Sequence, residues 1–227
     1  MSTTPSVPAT SSDTGELPTL TLTDLACRRG SRLLFRGVSL QVRARESTWL
    51  RGRNGRGKTS LLRLAAGLAV PESGRVCWDG VDVRRSSVYA AVRVYIGHAN
   101  ALKEDLTVLE SLQFLARLHG RAHDRASLRA ALERVGMESR RDAPVRTLSQ
   151  GQRRRAALAR LALERHPALW ILDEPYDALD VDGIEVVNGL LHEHLARGGS
   201  MLLTSHLPPG AGAPDMAEFD LDAFAPR

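Results

Sequence analysis

Residues Gly52-Arg53-Asn54-Gly55-Arg56-Gly57-Lys58-Thr59 follow the pattern G-x-x-x-x-G-K-[ST], which binds phosphate when it joins a strand to a helix. The glycines let the backbone curl around an anion with its N–H groups turned inward. A helix opening at Lys58 adds the positive end of its dipole. On this reading Gly52, Arg53, Asn54, Gly55, Arg56 and Gly57 form the cradle and Lys58 reaches the β- and γ-phosphates. Thr59 holds Mg²⁺ and Ser60 donates to the α-phosphate. Lysine is scarce: Lys58 and Lys103 are the only two among 31 basic residues, so a lysine at this position is the more telling.

Leu169-Trp170-Ile171-Leu172 reads as an apolar strand that ends in Asp173 and Glu174. Carboxylates at the tip of a buried strand are costly unless a cation meets them, and Mg²⁺ arriving with ATP is such a cation. Asp173 is then the metal-side acid and Glu174 the base that polarises the attacking water. The competing reading is a pair of helix caps ahead of Pro175. With Lys58 these residues predict hydrolysis of a nucleoside triphosphate.

Between these motifs lies Leu148-Ser149-Gln150-Gly151-Gln152. Ser-x-x-Gln is an ordinary capping box and by itself explains a helix start. The segment also resembles the ABC signature Leu-Ser-Gly-Gly-Gln, with Gln150 in place of a glycine. The resemblance to ABC ATP-binding subunits covers about Leu20 to His206. It implies that the signature residues Ser149, Gln150, Gly151 and Gln152 reach the γ-phosphate held by a second copy of the chain. It also implies a loop around Asp180 that crosses the dimer seam, and a switch histidine, His206, acting beside Glu174. His98 stands where most members have a glutamine that links Mg²⁺ and water to the transmembrane partner. Arg29 stands where an aromatic side chain normally stacks on adenine, and a planar guanidinium can take that place.

Within that family the chain is most similar to the CcmA group of cytochrome c biogenesis (haem exporter) ATPases. The residues behind this are Tyr95-Ile96-Gly97-His98, Leu102-Lys103, Leu106 to Leu112 and Trp170 to Gly183. The resemblance implies a peripheral protein on the cytoplasmic face of the inner membrane. Its partners would be a CcmB-like integral membrane subunit, docked between His98 and Thr107, and a second copy in a nucleotide-sandwich dimer, with no nucleic acid. Its alternatives are an exporter ATPase for another substrate and a soluble ABC ATPase acting on ribosomes or DNA.

The rest of the chain must position these groups. Its 227 residues, 43 % of them hydrophobic, suffice for one cored domain. The net charge of +5 comes from arginines scattered among acids, and aromatics make up only 4 %, which is not the pattern of a single-strand binder. Cys27 and Cys77 have no metal spacing and are read as core thiols. No apolar run reaches the ~18 residues of a membrane span, and the N-terminus lacks signal-peptide blocks. Residues 1–17, rich in Ser, Thr and Pro, are expected to be a disordered tail, with the nucleotide-binding domain over 18–227. Short strands are predicted at Thr19–Leu25, Leu33–Phe35 and Val38–Val42, then a strand at Ser47–Arg51 and a helix at Lys58–Ala66. Capping boxes at Thr107 and Ser149 open two helices of an insert over about 98–165, with a third at Ser127–Val135. A strand at Ala168–Leu172, a helix at Val181–Ala196 and a strand at Ser200–Thr204 follow. The order gives an α/β sheet with a small antiparallel β-layer in front and a helical insert in the middle; with the resemblance it implies an α/β P-loop NTPase, an ABC-type nucleotide-binding domain with an antiparallel β-subdomain.

Overall fold

The computed structural model describes residues 18–120, 123–166, 168–206 and 210–226. The expected tail over 1–17 lies outside the described residues. In chain order the strands are β1 (Thr19–Arg29), β2 (Arg32–Arg43), β3 (Ser47–Arg51), β4 (Ser73–Trp78), β5 (Val81–Asp82), β6 (Arg93–Ile96), β7 (Leu169–Leu172), β8 (Ser200–Thr204) and β9 (Ala217–Asp220). The helices are α1 (Lys58–Ala65), α2 (Ser87–Val92), α3 (Val108–Leu118), α4 (Arg125–Arg134), α5 (Gln150–Ala162) and α6 (Val181–Ala196).

The strands form two sheets. One is antiparallel in the order β2-β1-β4-β5, and the other is parallel in the order β6-β7-β8-β3-β9. All residues of β7 and β8 are buried, as expected of a parallel sheet covered on both faces. Their side chains alternate between two cores. Trp170 and Leu172 join Met201, Leu203 and the residues of α3–α6. Leu169 and Ile171 join Leu202, α1 and the antiparallel sheet. A one-residue slip of β7 would exchange the two sets.

The caps are local chemistry. Thr107 accepts from the Glu110 N–H, and the Glu110 carboxylate accepts from the Thr107 N–H; Ser149 and Gln152 do the same at α5. Asp124 caps α4 and Asp180 caps α6. Three features differ from the sequence expectation. β2 is one strand rather than two: it runs on through Arg36-Gly37 as an irregularity in the ladder, between Phe35 opposite Cys27 and Val38 opposite Leu25. α2 is present, opened by Ser86 and anchored by Tyr89, which is fully buried. β9 adds an edge strand beside β3. Among the described residues no helix is long and apolar enough to cross a membrane.

The consequence for chemistry lies in the parallel sheet. Strands β3, β6, β7 and β8 all end at the same edge, so the segments that follow Arg51, Ile96, Leu172 and Thr204 are gathered there. The carboxyl edge of an open α/β sheet is where ligands bind.

Candidate active site

The loop after β3 turns tightly into α1. Gly57 has φ 106°, and a Cβ there would lie 3.1 Å from Leu34 and 3.2 Å from Phe35, so only glycine lets the loop sit this close to β2. Lys58 begins α1, and its Nζ donates to the Gly52 carbonyl at 2.7 Å. The lysine is thus folded across the mouth of its own loop. Thr59 is exposed and Ser60 half-buried at the start of the helix.

At the end of β7 the two acids are held differently. The Thr204 hydroxyl donates to Asp173 Oδ1 at 3.0 Å and accepts from the Glu174 N–H at 2.9 Å. One side chain of β8 therefore fixes the tip of β7. Asp173 Oδ2 is buried with no hydrogen-bond partner. Glu174 is buried and has φ 51°, a backbone state uncommon outside glycine and found at strained functional positions. Its Oε1 lies 3.8 Å from His206 Nε2, on a ring that is 56 % exposed.

A residue that the sequence did not single out ties these segments together. Arg154 of α5 is buried. Its guanidinium donates to the carbonyls of Asp173 at 2.7 Å and Glu174 at 2.6 Å, and to Gly97 O and Asn100 Oδ1 at 3.0 Å. Burial pulls its pKa below the ordinary arginine value, opposed by the charges of Asp177, Asp173 and Glu174. The first turns of α5 are thereby bound to the tips of both β6 and β7.

These groups enclose a cleft of about 430 Å³. Arg29, Arg32 and Leu34 line one side, and Arg53, Asn54, Gly55, Gly57, Lys58, Thr59 and Ser60 line the floor. His98, Asp173, Glu174 and His206 close the far wall. A larger cleft of about 540 Å³, bounded by Val92, His123, Asp124 and His166, contains none of the predicted site residues. Two members of the loop do not line the phosphate cleft: Gly52 borders a neighbouring one, and Arg56 turns onto Asp222. Ser149, Gln150, Gly151, Gln152 and Asp180 also lie outside it. Ser149 is occupied as the cap of α5. Gly151 is so close to the chain after β7 that a Cβ would stand 2.6 Å from the Ala178 carbonyl. Asp180 caps α6 and pairs with Arg155.

The arrangement offers N–H groups and one lysine for a polyphosphate, an unpartnered carboxylate oxygen, and a carboxylate–histidine pair. Thr204 and Arg154 escaped the sequence reading because their roles depend on contacts 31 and 19–20 residues away. The one local signal was the placement of Arg154 five residues after Ser149.

Comparison with known proteins places this geometry. Residues 35–177 match the family described as ABC transporter. The chain is 45 % identical over 188 residues to the cytochrome c biogenesis ATP-binding export protein CcmA of Nitrosomonas europaea, covering 82 % of this chain and 88 % of that one. It is 49 % identical over 183 residues to the protein of that name from Methylococcus capsulatus, covering 80 % and 88 %. Among solved structures it resembles a putative ABC transporter ATP-binding protein from Pyrococcus furiosus, with a TM-score of 0.78 at 22 % identity, over 92 % of this chain and 100 % of that one.

Proposed function

We infer the function from one premise: the chain belongs to the ABC transporter family and, within it, to the CcmA group of cytochrome c biogenesis ATP-binding export proteins. It is an ATPase, converting ATP and water to ADP and phosphate as the motor subunit of a membrane transport complex. Its place is in c-type cytochrome biogenesis, where the work of the complex is haem export or release of a haem chaperone. The observation that carries this reading is the meeting, in one cleft, of the Gly52–Thr59 loop with Asp173, Glu174, His98 and His206.

Lys58 and the inward N–H groups of the loop hold the β- and γ-phosphates, and Ser60 holds the α-phosphate. Asp173 and Thr59 would hold Mg²⁺, and the buried, donor-less Oδ2 of Asp173 supports this, since such an oxygen is stable beside a cation. When bound with ATP, the ion neutralises charge on the phosphate oxygens. Glu174 accepts the proton of the attacking water while His206, 3.8 Å away, orients that water against the γ-phosphate. Positioning and fixed charge do most of the work in such a reaction. Arg29 stacks on the base. His98 links the cleft to the membrane subunit, a CcmB-like protein, at the cytoplasmic face of the inner membrane. Ser149 and Gly151 lie outside the chain's own cleft and serve the cleft of a second copy, with Asp180 near the seam.

The test is Lys58→Ala in cells that make c-type cytochromes. The expected outcome is loss of ATP hydrolysis together with loss of covalently attached haem, and recovery of an integral membrane subunit with the wild-type chain. Normal haem staining with a hydrolysis-dead variant would overturn the assignment to this pathway.

A further inference from the structure

We propose that Asp222 is a positioning residue for the nucleotide, a carboxylate that fixes the shape of the phosphate loop from outside the cleft; this rests on the ATPase reading above. The chain reaches that place through β9, which pairs with β3 up to Arg51 opposite Asp220, one residue before Gly52. The segment Leu221–Phe224 then makes a short 3₁₀ turn, opened by Asp220, whose side chain accepts from the Asp222 N–H at 2.9 Å. Leu221 is fully buried. It packs so near Gly52 that a Cβ on the glycine would stand 3.4 Å from it.

Against this anchored turn, one carboxylate holds two points of the loop. Asp222 Oδ2 accepts from the Arg53 N–H at 3.0 Å, and Oδ1 accepts from Arg56 Nε at 2.6 Å. The side chains of Arg56 and Asp222 are 23 % and 28 % exposed, so the pair is partly shielded from water and its charge-assisted bonds are stronger than a surface pair.

Two effects follow. The Arg53 N–H is committed outward to Asp222 and the Arg56 N–H to the Arg53 carbonyl at 3.2 Å, which leaves the N–H groups after Arg56 to face the phosphates. The Arg56 guanidinium is kept on the outer side, so it does not compete with Lys58 inside the cleft. Losing the carboxylate frees both points of the loop, and small misplacement of a binding group is costly to a bound substrate. Asp222 does not line the cleft that holds Glu174 and His206 and acts through the loop it braces, so its removal acts on nucleotide affinity more than on the chemical step.

The experiment compares the wild-type chain with Asp222→Ala, Asp222→Asn, Asp222→Glu and Lys58→Ala. It measures Mg-ATP affinity with a fluorescent ATP analogue, KM and kcat for hydrolysis, and the thermal midpoint. Asp222→Ala is expected to raise Kd and KM by about tenfold with kcat within about threefold. Asp222→Asn keeps an acceptor for the Arg53 N–H without the charge and is expected to fall between. Asp222→Glu, with the charge restored, is expected to recover part of the affinity. If Asp222→Ala does not fold, the asparagine variant decides: its KM must rise at a near wild-type midpoint. Unchanged Kd and KM in the folded variants, or a fall in kcat at unchanged KM, overturns the proposal while a dead Lys58→Ala leaves the ATPase reading standing. A fully active Lys58→Ala overturns the ATPase reading instead.

Discussion

Strand β7 buries an ionisable group near each end, and the two ends treat it in opposite ways. Near the start, His194 of α6 stacks on Trp170, with ring centroids 3.8 Å apart and an interplanar angle of 8°. Its Nε2 donates to the Ser200 carbonyl at 3.1 Å. Gly199 passes beneath the ring, where a Cβ would lie 2.1 Å from it. Burial answers the charge problem by removing the charge, and the histidine pKa falls to about 4. Its Nδ1 lacks a donor, but a neutral imine nitrogen loses far less by this than a carboxylate oxygen. At the far end Asp173 and Glu174 are braced by Thr204 and Arg154, with one carboxylate oxygen left open. Where only packing is at stake, burial neutralises the group; beside the cleft, hydrogen bonds instead hold the backbone and one oxygen of the acids in place.

The largest expected effect falls on the open end. Glu174→Gln should lower hydrolysis by on the order of 10²–10⁴, with ATP binding retained and the thermal midpoint unchanged. Near-normal turnover would remove Glu174 from the chemistry and erase the contrast. The next effect belongs to the closed end and is a matter of stability. The folded His194 titrates at about 4 against an ordinary 6.5, so the unfolded chain binds a proton first. Stability is full above about pH 6.5 and falls between there and about pH 4, by on the order of 3 kcal/mol. Urea unfolding at stepped pH should show this slope in the wild type and lose it in His194→Gln; equal slopes would show that the burial of His194 is not linked to pH. The smallest effect tests the brace. Thr204→Val removes the donor to Asp173 and the acceptor of the Glu174 N–H, and should cut turnover by roughly ten- to thirtyfold, the scale of two lost buried hydrogen bonds. A loss of stability with turnover unchanged would make Thr204 part of the packing alone.

What the sequence made legible, and what it hid, divides along contact range. The Gly52–Thr59 loop, the acids after Leu172 and the boxes at Thr107 and Ser149 are contiguous strings whose chemistry is written in their own spacing, and the structure places them on the strand ends and helix starts that spacing predicted. Arg154 sits in the polar run Arg153-Arg154-Arg155, which reads as a solvated helix face. Its burial comes from backbone carbonyls on two other strands' ends. Asp222 meets Arg56 across 166 residues, and nothing local marks it. β9 is a strand only because β3 offers an edge. α2 could have been read from Ser86 ahead of a turn of helix, but its neighbours Arg84 and Arg85 gave no apolar period. The fold class and the cleft's main walls were therefore readable, while the braces behind them were not.

The missing side chain at Gly151 has a mechanical corollary. Backbone meets backbone there, Arg155 grips Asp180 alongside, and Asp180 in turn begins α6. No compressible layer separates the start of α5 from the bend after Pro175. Close packing transmits displacement with little compression, so a shift of either should carry the other with little side-chain slack to absorb it.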